Sequence, residues 1–344
     1  VNNSGISERK QKILHAVVTD YIQTAEPVGS RTISRRYRMD LSAATIRNEM
    51  ADLEEMGYLS QPHTSAGRIP SQSGYRFYVD YLMNQAELTV QEEEYIRRLF
   101  LQLEKMREID QIIQQTARIL SQLTNYTSLI LGPLFSRSAF KQLRLIPLDG
   151  NKALAVLITD AGFIKNSLID LPRALSEEEL HRIVSCLNEQ MAGLTIESLT
   201  ASRLRQLRGT LYDRLDILNQ ALAMLEEVRN ENENRVYLGG TSNILNQPEF
   251  QDLIKVRNLL SLFEGYRRFN FLLETPMEGV TIRIGTENSL QEMNECSLVT
   301  ATYLLHGHPV GAVGVLGPTR MEYARVVTMI EHITVRLNNV LKAL

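Results

Sequence analysis

The chain has 344 residues, 44% apolar and 22% charged, with a formal net charge of −3. That length exceeds what one core usually serves, so two or three domains are expected in an ordinary folded globular protein. The composition excludes a disulfide scaffold, because only Cys186 and Cys296 are present. It also excludes a helical membrane protein, because no apolar run approaches the ~20 residues that a spanning helix needs. The first residues are polar and carry no secretory pattern, so a cytoplasmic protein with no membrane partner is expected.

Residues 7–24 read as a first helix, with Ile13, Leu14, Val17, Val18, Tyr21 and Ile22 at helical spacing and Pro27 and Gly29 as the stop. Ser30 is expected to cap a short second helix to about residue 37, with Ile33 and Tyr37 inward. The turn "RMDL" follows. A third helix starts at Ser42, a good N-cap, and runs to Met56, with Ile46, Met50, Leu53 and Met56 on one face and Gly57 as its left-handed stop. "YLSQ" and "RIPS" read as two short strands around the tip "PHTSAG". Three short helices and a small hairpin make a winged helix-turn-helix.

A fourth helix is expected at about 73–84, then a polar linker at 84–94 and one long helix at 92–123, from a continuous stripe that includes Met106. Four β-rich runs (126–133, 140–150, 152–162 and 163–172) read as a meander. Helices return at 175–191 and 200–232. In the second of these, Leu211, Leu215, Leu218, Leu222 and Leu225 recur at spacings of 4, 3, 4 and 3. Such a seam serves equally as a dimer interface or as an internal core stripe. Strands resume at 280–285, 296–307 and 309–318, and a helix at 322–341 closes the chain. Strands, a helical excursion and strands again suggest one α/β domain interrupted by an insert.

The distribution of charge is more telling than its sum. Between residues 28 and 48 lie Arg31, Arg35, Arg36, Arg38 and Arg47 against Asp40 alone, a local basic footprint in an acidic chain. In a helix-turn-helix the helix after the turn lies in the major groove, where its first residues reach base edges. Ser42, Ala43, Ala44, Thr45, Arg47 and Asn48 suit that role. The small residues let the backbone approach, Ser and Thr exchange hydrogen bonds, Arg chelates guanine and Asn chelates adenine. The base-reading set is therefore Ser42, Ala44, Thr45, Arg47 and Asn48. Ser30, Arg31, Thr32 and Arg35, with His63, Thr64 and Arg68 of the hairpin, are the expected backbone contacts. The alternative for this unit is a protein-interaction module whose arginines are merely solvated. A dimer is expected, because symmetric pairs double the surface available on a palindromic site.

Signals for an enzyme are poor. Gly311, Gly314 and Gly317 of "GAVGVLG" sit in strand-like sequence and open no helix. His306 and His308 of "HGHP" lack further ligands nearby, and "LGGTSN" (238–243), a possible anion site, reads better as a simple loop. No catalytic residue, metal or cofactor is expected.

The stretch at 26–83 that contains "EPVGSRT", "ATIRNEM" and "QPHTSAGR" closely resembles the HrcA family, the heat-inducible transcription repressors of bacteria. "LGGTSNILNQPEF" (238–250) and "PVGAVGVLGPTRMEYARV" (309–326) resemble the family's C-terminal part. The resemblance implies an α+β multidomain protein: an N-terminal winged helix-turn-helix (1–86), a GAF-like α/β domain (92–172 and 276–344) and an inserted α+β dimerisation domain (173–275). It favours the insert as the homodimer contact. It further implies repression of chaperone operons by binding an inverted-repeat DNA operator, CIRCE, with the GroE chaperonin keeping the repressor active. Ala43 stands where a second serine is expected, which removes one hydroxyl from the DNA-facing turn. The alternative function is a ligand-sensing regulator that uses the GAF-like domain as its small-molecule sensor.

Overall fold

The computed structural model describes residues 6–37, 39–64, 66–133, 138–148, 151–160, 162, 164–171, 176–196, 198, 235–250, 252, 255–257, 259, 261, 279–305 and 307–343. Helix α1 (Glu8–Thr24) starts at Ser7, whose hydroxyl accepts from the Lys10 amide, and stops at Ala25 in the left-handed conformation. Helix α2 (Ser30–Arg36) has Gly29 as its N-cap, so Ser30 is its first helical residue instead of the expected cap. Helix α3 (Ala43–Glu55) begins as expected, with the Ser42 hydroxyl accepting from the Thr45 amide at 3.1 Å. Strands β1 (Leu59–Ser60) and β2 (Ile69–Pro70) pair antiparallel. Ile13, Leu14, Val17, Ile33, Ile46 and Leu53 meet in the core between the three helices. Met56 lies 45% exposed, because α3 ends at Glu55 and the chain turns away through Gly57 at φ +80°.

Helix α4 (Gln72–Phe77) is capped by Ser71 and continues as a π-helical turn, Tyr78–Leu82. Tyr75, Phe77 and Tyr78 are buried, whereas Tyr81 is 67% exposed. The segment expected to be a linker is fastened down. The Ala86 carbonyl accepts from the Thr328 hydroxyl at 2.8 Å, and Leu88 packs against the core.

The single helix expected at 92–123 is two: α5 (Val90–Leu103), opened by a Thr89–Glu92 capping box, and α6 (Ile109–Thr124). The stripe runs unbroken through Met106 because both helices bury it in one continuous core. Periodicity reports which face is buried, not whether the axis continues. A straight helix of that length would run about 48 Å, so the break at 104–108 lets the chain turn back.

The central sheet is antiparallel and five-stranded, in the order β7 (Val236–Gly239), β3 (Thr127–Leu131), β10 (His308–Pro318), β9 (Cys296–Leu305), β8 (Val280–Ile284). Helix α6 and the last helix, α8 (Tyr323–Lys342), cover one face. Short 3₁₀ turns at Thr241–Asn246 and Pro248–Phe250 help cover the other, over Leu129, Leu131, Leu298 and Leu316. Strand β3 is buried along its whole length, and its hydroxyls are satisfied: Ser128 donates to the Ala117 carbonyl and Thr127 to that of Gly240. "LGGTSN", expected as a simple loop, is instead the end of β7, a left-handed Gly240 and the start of the first 3₁₀ turn. Asn243 donates to Ser121 and to the Tyr126 carbonyl across it.

A separate sheet contains β4 (Phe140–Leu148), β5 (Lys152–Thr159) and β6 (Ile164–Asp170), with α7 (Glu177–Met191) on one face. Phe140, Leu143, Leu157, Leu180, Ile183 and Leu187 form its own core. The expected meander of four strands is thus three, because β3 pairs elsewhere. Residues 140–170 are expected in the interrupted domain, yet they join α7. Residues 236–239 are expected in the insert, yet they hydrogen-bond to β3. The difference lies in burial. "TSLIL" is apolar enough on both faces to sit inside a sheet, whereas β5 alternates and is covered on one side only. The leucine seam at 211–225 lies outside the described residues. No described helix is long and apolar enough to cross a membrane.

Candidate nucleic-acid interface

Helix α3 presents its first two turns to solvent on one side. Ile46 and Met50 are buried against α1 and α2, while Ser42, Ala44, Arg47 and Asn48 are exposed or half-buried on the open side with Thr45. The Ser42 and Thr45 hydroxyls lie 2.9 Å apart and share a hydrogen. The cap therefore uses part of the hydrogen-bonding capacity of both side chains. Capping here fixes the start of the helix and leaves the longer polar groups free.

Helix α2 packs closely on α3, and the turn between them is held by Met39 and Leu41, both packed against the core, and by Ser34, whose hydroxyl donates to the Leu41 carbonyl at 3.3 Å. Arg31, Thr32 and Arg35 are exposed on α2, and Ser30 is half-buried. Arg31, Thr32 and Arg35 line an open cleft of about 470 Å³ with Val28 and Asp20. Arg31, Arg35 and Arg47 make no ion pair with a described residue, so their charge faces solvent. Arg36 differs. It pairs with Asp20, which is 3% exposed, and this holds its guanidinium charge even above the ordinary arginine range. Arg36 thus ties α2 to α1, and the basic footprint is smaller than the arginine count implies. Arg38 lies outside the described residues.

The hairpin tip exposes His63 and Thr64. Gln61 fixes their position by donating to the carbonyls of Thr64 and Ala66, each at 3.0 Å. Arg68 is committed elsewhere. It pairs with Glu54 of α3 at 2.7 Å, and its backbone exchanges two 2.9 Å hydrogen bonds with Val28. Gly67 makes that close approach possible, because a Cβ there would collide with the Val28 carbonyl. Asp20, Gln61 and Glu54 are the positioning residues that sequence reasoning missed. A buried carboxylate or an amide reaching over a loop tip leaves no periodic trace in a sequence.

Elsewhere, His308 faces Asp160 at 3.3 Å. Among the described residues no group of three histidine, cysteine or carboxylate side chains is placed to hold a metal. Cys296 is buried and its thiol is pushed up to about 12 by burial and by Glu295, which leaves it inert.

The family model described as HrcA protein C terminal domain matches residues 110–327. The heat-inducible transcription repressor HrcA of Natranaerobius thermophilus is 50% identical over 325 residues, covering 94% of this chain and 94% of that protein. Those of Pelotomaculum thermopropionicum and Moorella thermoacetica are each 46% identical, over 340 and 344 residues. They cover 98% of this chain, and 97% and 99% of their own lengths. A crystal structure of a hypothetical protein is similar along 98% of this chain and 99% of its own, with a TM-score of 0.59 and 24% identity, and shows a shared fold. Each named relative is a heat-inducible transcription repressor, which defines the class as a transcription regulator. The chain belongs to the HrcA family of heat-inducible transcription repressors.

Proposed function

We propose that residues 8–70 act as a winged helix-turn-helix on double-stranded DNA, with α3 in the major groove and the hairpin as the wing. The observation that carries this reading is the first face of α3. It has a capped, small-residue start beside Arg47 and Asn48, with Arg31 and Arg35 exposed on the neighbouring helix. Arg47 and Asn48 read bases, with Ser42, Ala44 and Thr45 allowing the approach. Ser30, Arg31, Thr32, Arg35, His63 and Thr64 hold the phosphate backbone. Arg68 acts by fixing the wing to α3 through Glu54.

The DNA is the inverted-repeat operator CIRCE of chaperone operons, bound by a homodimer, and the GroE chaperonin keeps the repressor active. This part rests on family membership. A dimer is supported by the small sheet. Its face away from α7 carries an apolar group of Ile146, Leu148, Ile164 and Leu168, all 44–68% exposed, with Leu154 and Val156 between them and the exposed Arg144, Lys152, Asn166 and Asp170 around them. An apolar sheet face left open in water is a contact surface in waiting. The central sheet, with its neighbouring helices, takes the GAF-like role. A ligand-sensing function is not favoured, since among the described residues buried side chains pack against both faces of that sheet.

The test is a gel shift at fixed salt with Arg47→Ala. Operator affinity should fall by about 1–3 kcal/mol, with little change on random DNA. Equal losses on both duplexes would remove Arg47 from base reading.

A further inference from the structure

The N-terminal unit and the central sheet are joined by two arginines that reach in opposite directions. Arg76 on α4 donates from Nε to Glu287, in the turn after β8, at 2.9 Å and from Nη2 to the Ile282 carbonyl in the middle of β8 at 2.7 Å. One turn earlier, Gln72 accepts from both the amide and the hydroxyl of Thr286, at 3.0 and 2.9 Å. From the other side, Arg320 donates from Nη1 to the Ile22 carbonyl in the last turn of α1, at 2.7 Å. Its Nε is held by Glu249 at 2.7 Å, and its side chain is only 12% exposed. Between the two clamps, the buried rings of Tyr75 and Tyr323 pack 6.1 Å apart.

These contacts do more than the fold of either part requires. The Ile22 carbonyl lies in the last turn of α1 and Gln72 opens α4, so neither polar group is needed within its own helix, and one buried core already runs through both parts. The clamps fix direction. Arginine presents a rigid planar fork, so two of them, in opposite senses and on separated elements, suppress the sliding and rotation that a shared apolar core alone allows. Neither guanidinium is free for a phosphate, because each is committed to a carboxylate and a carbonyl.

We propose that Arg76 and Arg320 are positioning residues for operator reading. They lock the reading unit at a fixed angle on the body, so that the body of the dimer dictates one distance and one helical phase between the two α3 helices. This inference rests on the proposed binding of an inverted repeat by a dimer. Two rigidly held heads engage both half-sites only where the spacing matches, whereas loosely held heads tolerate a range of spacings.

The test uses full-length wild type, Arg76→Gln and Arg320→Gln at fixed salt. The probes are duplexes carrying the inverted repeat at its native spacing, the repeat with about 5 base pairs added (half a helical turn), one half-site alone, and random sequence. Wild type should lose roughly 100-fold in affinity on the lengthened repeat. Each variant should lose less than about tenfold on the same change, with half-site affinity kept. A folded variant that keeps the wild-type spacing penalty overturns the lock. So does a variant whose half-site affinity falls as far as its operator affinity, since that is simple damage to the fold. If Arg320→Gln gives no cooperative thermal transition, Arg76→Gln, at the more exposed clamp, decides alone by the same criteria. Wild type that binds the repeat but ignores spacing overturns the lock and leaves the function standing. Wild type that treats the repeat and random duplex alike overturns the proposed function itself.

Discussion

The N-terminal unit and the small sheet of β4–β6 are modules of similar scale, held in opposite ways. The first shares one continuous core with the central sheet and its helices and is clamped there by Arg76 and Arg320. The second has its own core, closed by α7, and offers an apolar face to solvent. Under the proposed function, this contrast separates a module oriented by the body from one free to take a partner. A reading head has to arrive at DNA in a set direction. A contact module needs only a stable back and a sticky front.

The comparison breaks most visibly at the separate core. Leu187→Ala should cost about 2–5 kcal/mol within the small module. Amide exchange should then rise across 140–191 and stay low across 8–55. Exchange that rises equally in both regions would show a single cooperative unit. Next comes the open face. Ile146→Glu with Leu168→Glu should turn the dimer into a monomer by light scattering and cost roughly 100-fold on the operator. The thermal transition should fall and lose its dependence on protein concentration, because association no longer stabilises the fold by mass action. A double variant that stays dimeric moves the contact elsewhere.

Smaller effects sharpen the description of the N-terminal unit. Ser42→Ala removes the cap of α3 and should cost about 1 kcal/mol, read from urea denaturation. Operator affinity should fall with it, because the cap sets the position of the reading turn. The smallest effect is a pH dependence. Burial beside Tyr78 lowers the pKa of His15 below its ordinary value. A folded-state pKa below the unfolded one means that His15 stability is fully present above about pH 6.5 and lost as pH falls below it. The group is only half-buried, so the loss between pH 7 and pH 5 should be under about 1 kcal/mol. The wild-type urea midpoint should fall relative to that of His15→Leu as pH drops across that window, and parallel curves would show that His15 plays no part.

Much of this was legible in the residues. Ser42 followed by small side chains announced a capped, approachable helix, and its buried stripe of Ile46, Met50 and Leu53 is in place. The hairpin, the capped helix at 177–191 and the strands near 280, 296 and 309 fall close to where patterning puts them. Patterning failed where a local signal has more than one tertiary solution. The stripe through Met106 fits one helix or two, and consecutive strands fit one sheet or two.

Read alone, the residues settle most of the elements and their buried faces, the exposed Arg31, Arg35 and Arg47, and the family, because these follow from side-chain periodicity, local hydrogen bonding and motif. Only the tertiary structure decided that Arg36 and Arg68 are committed to Asp20 and Glu54, that β7 rather than β4 flanks β3, and that two arginines bind the reading unit to the body. Those outcomes depend on which groups meet across tens or hundreds of residues, and an ion pair at such separation has no period for a sequence to display.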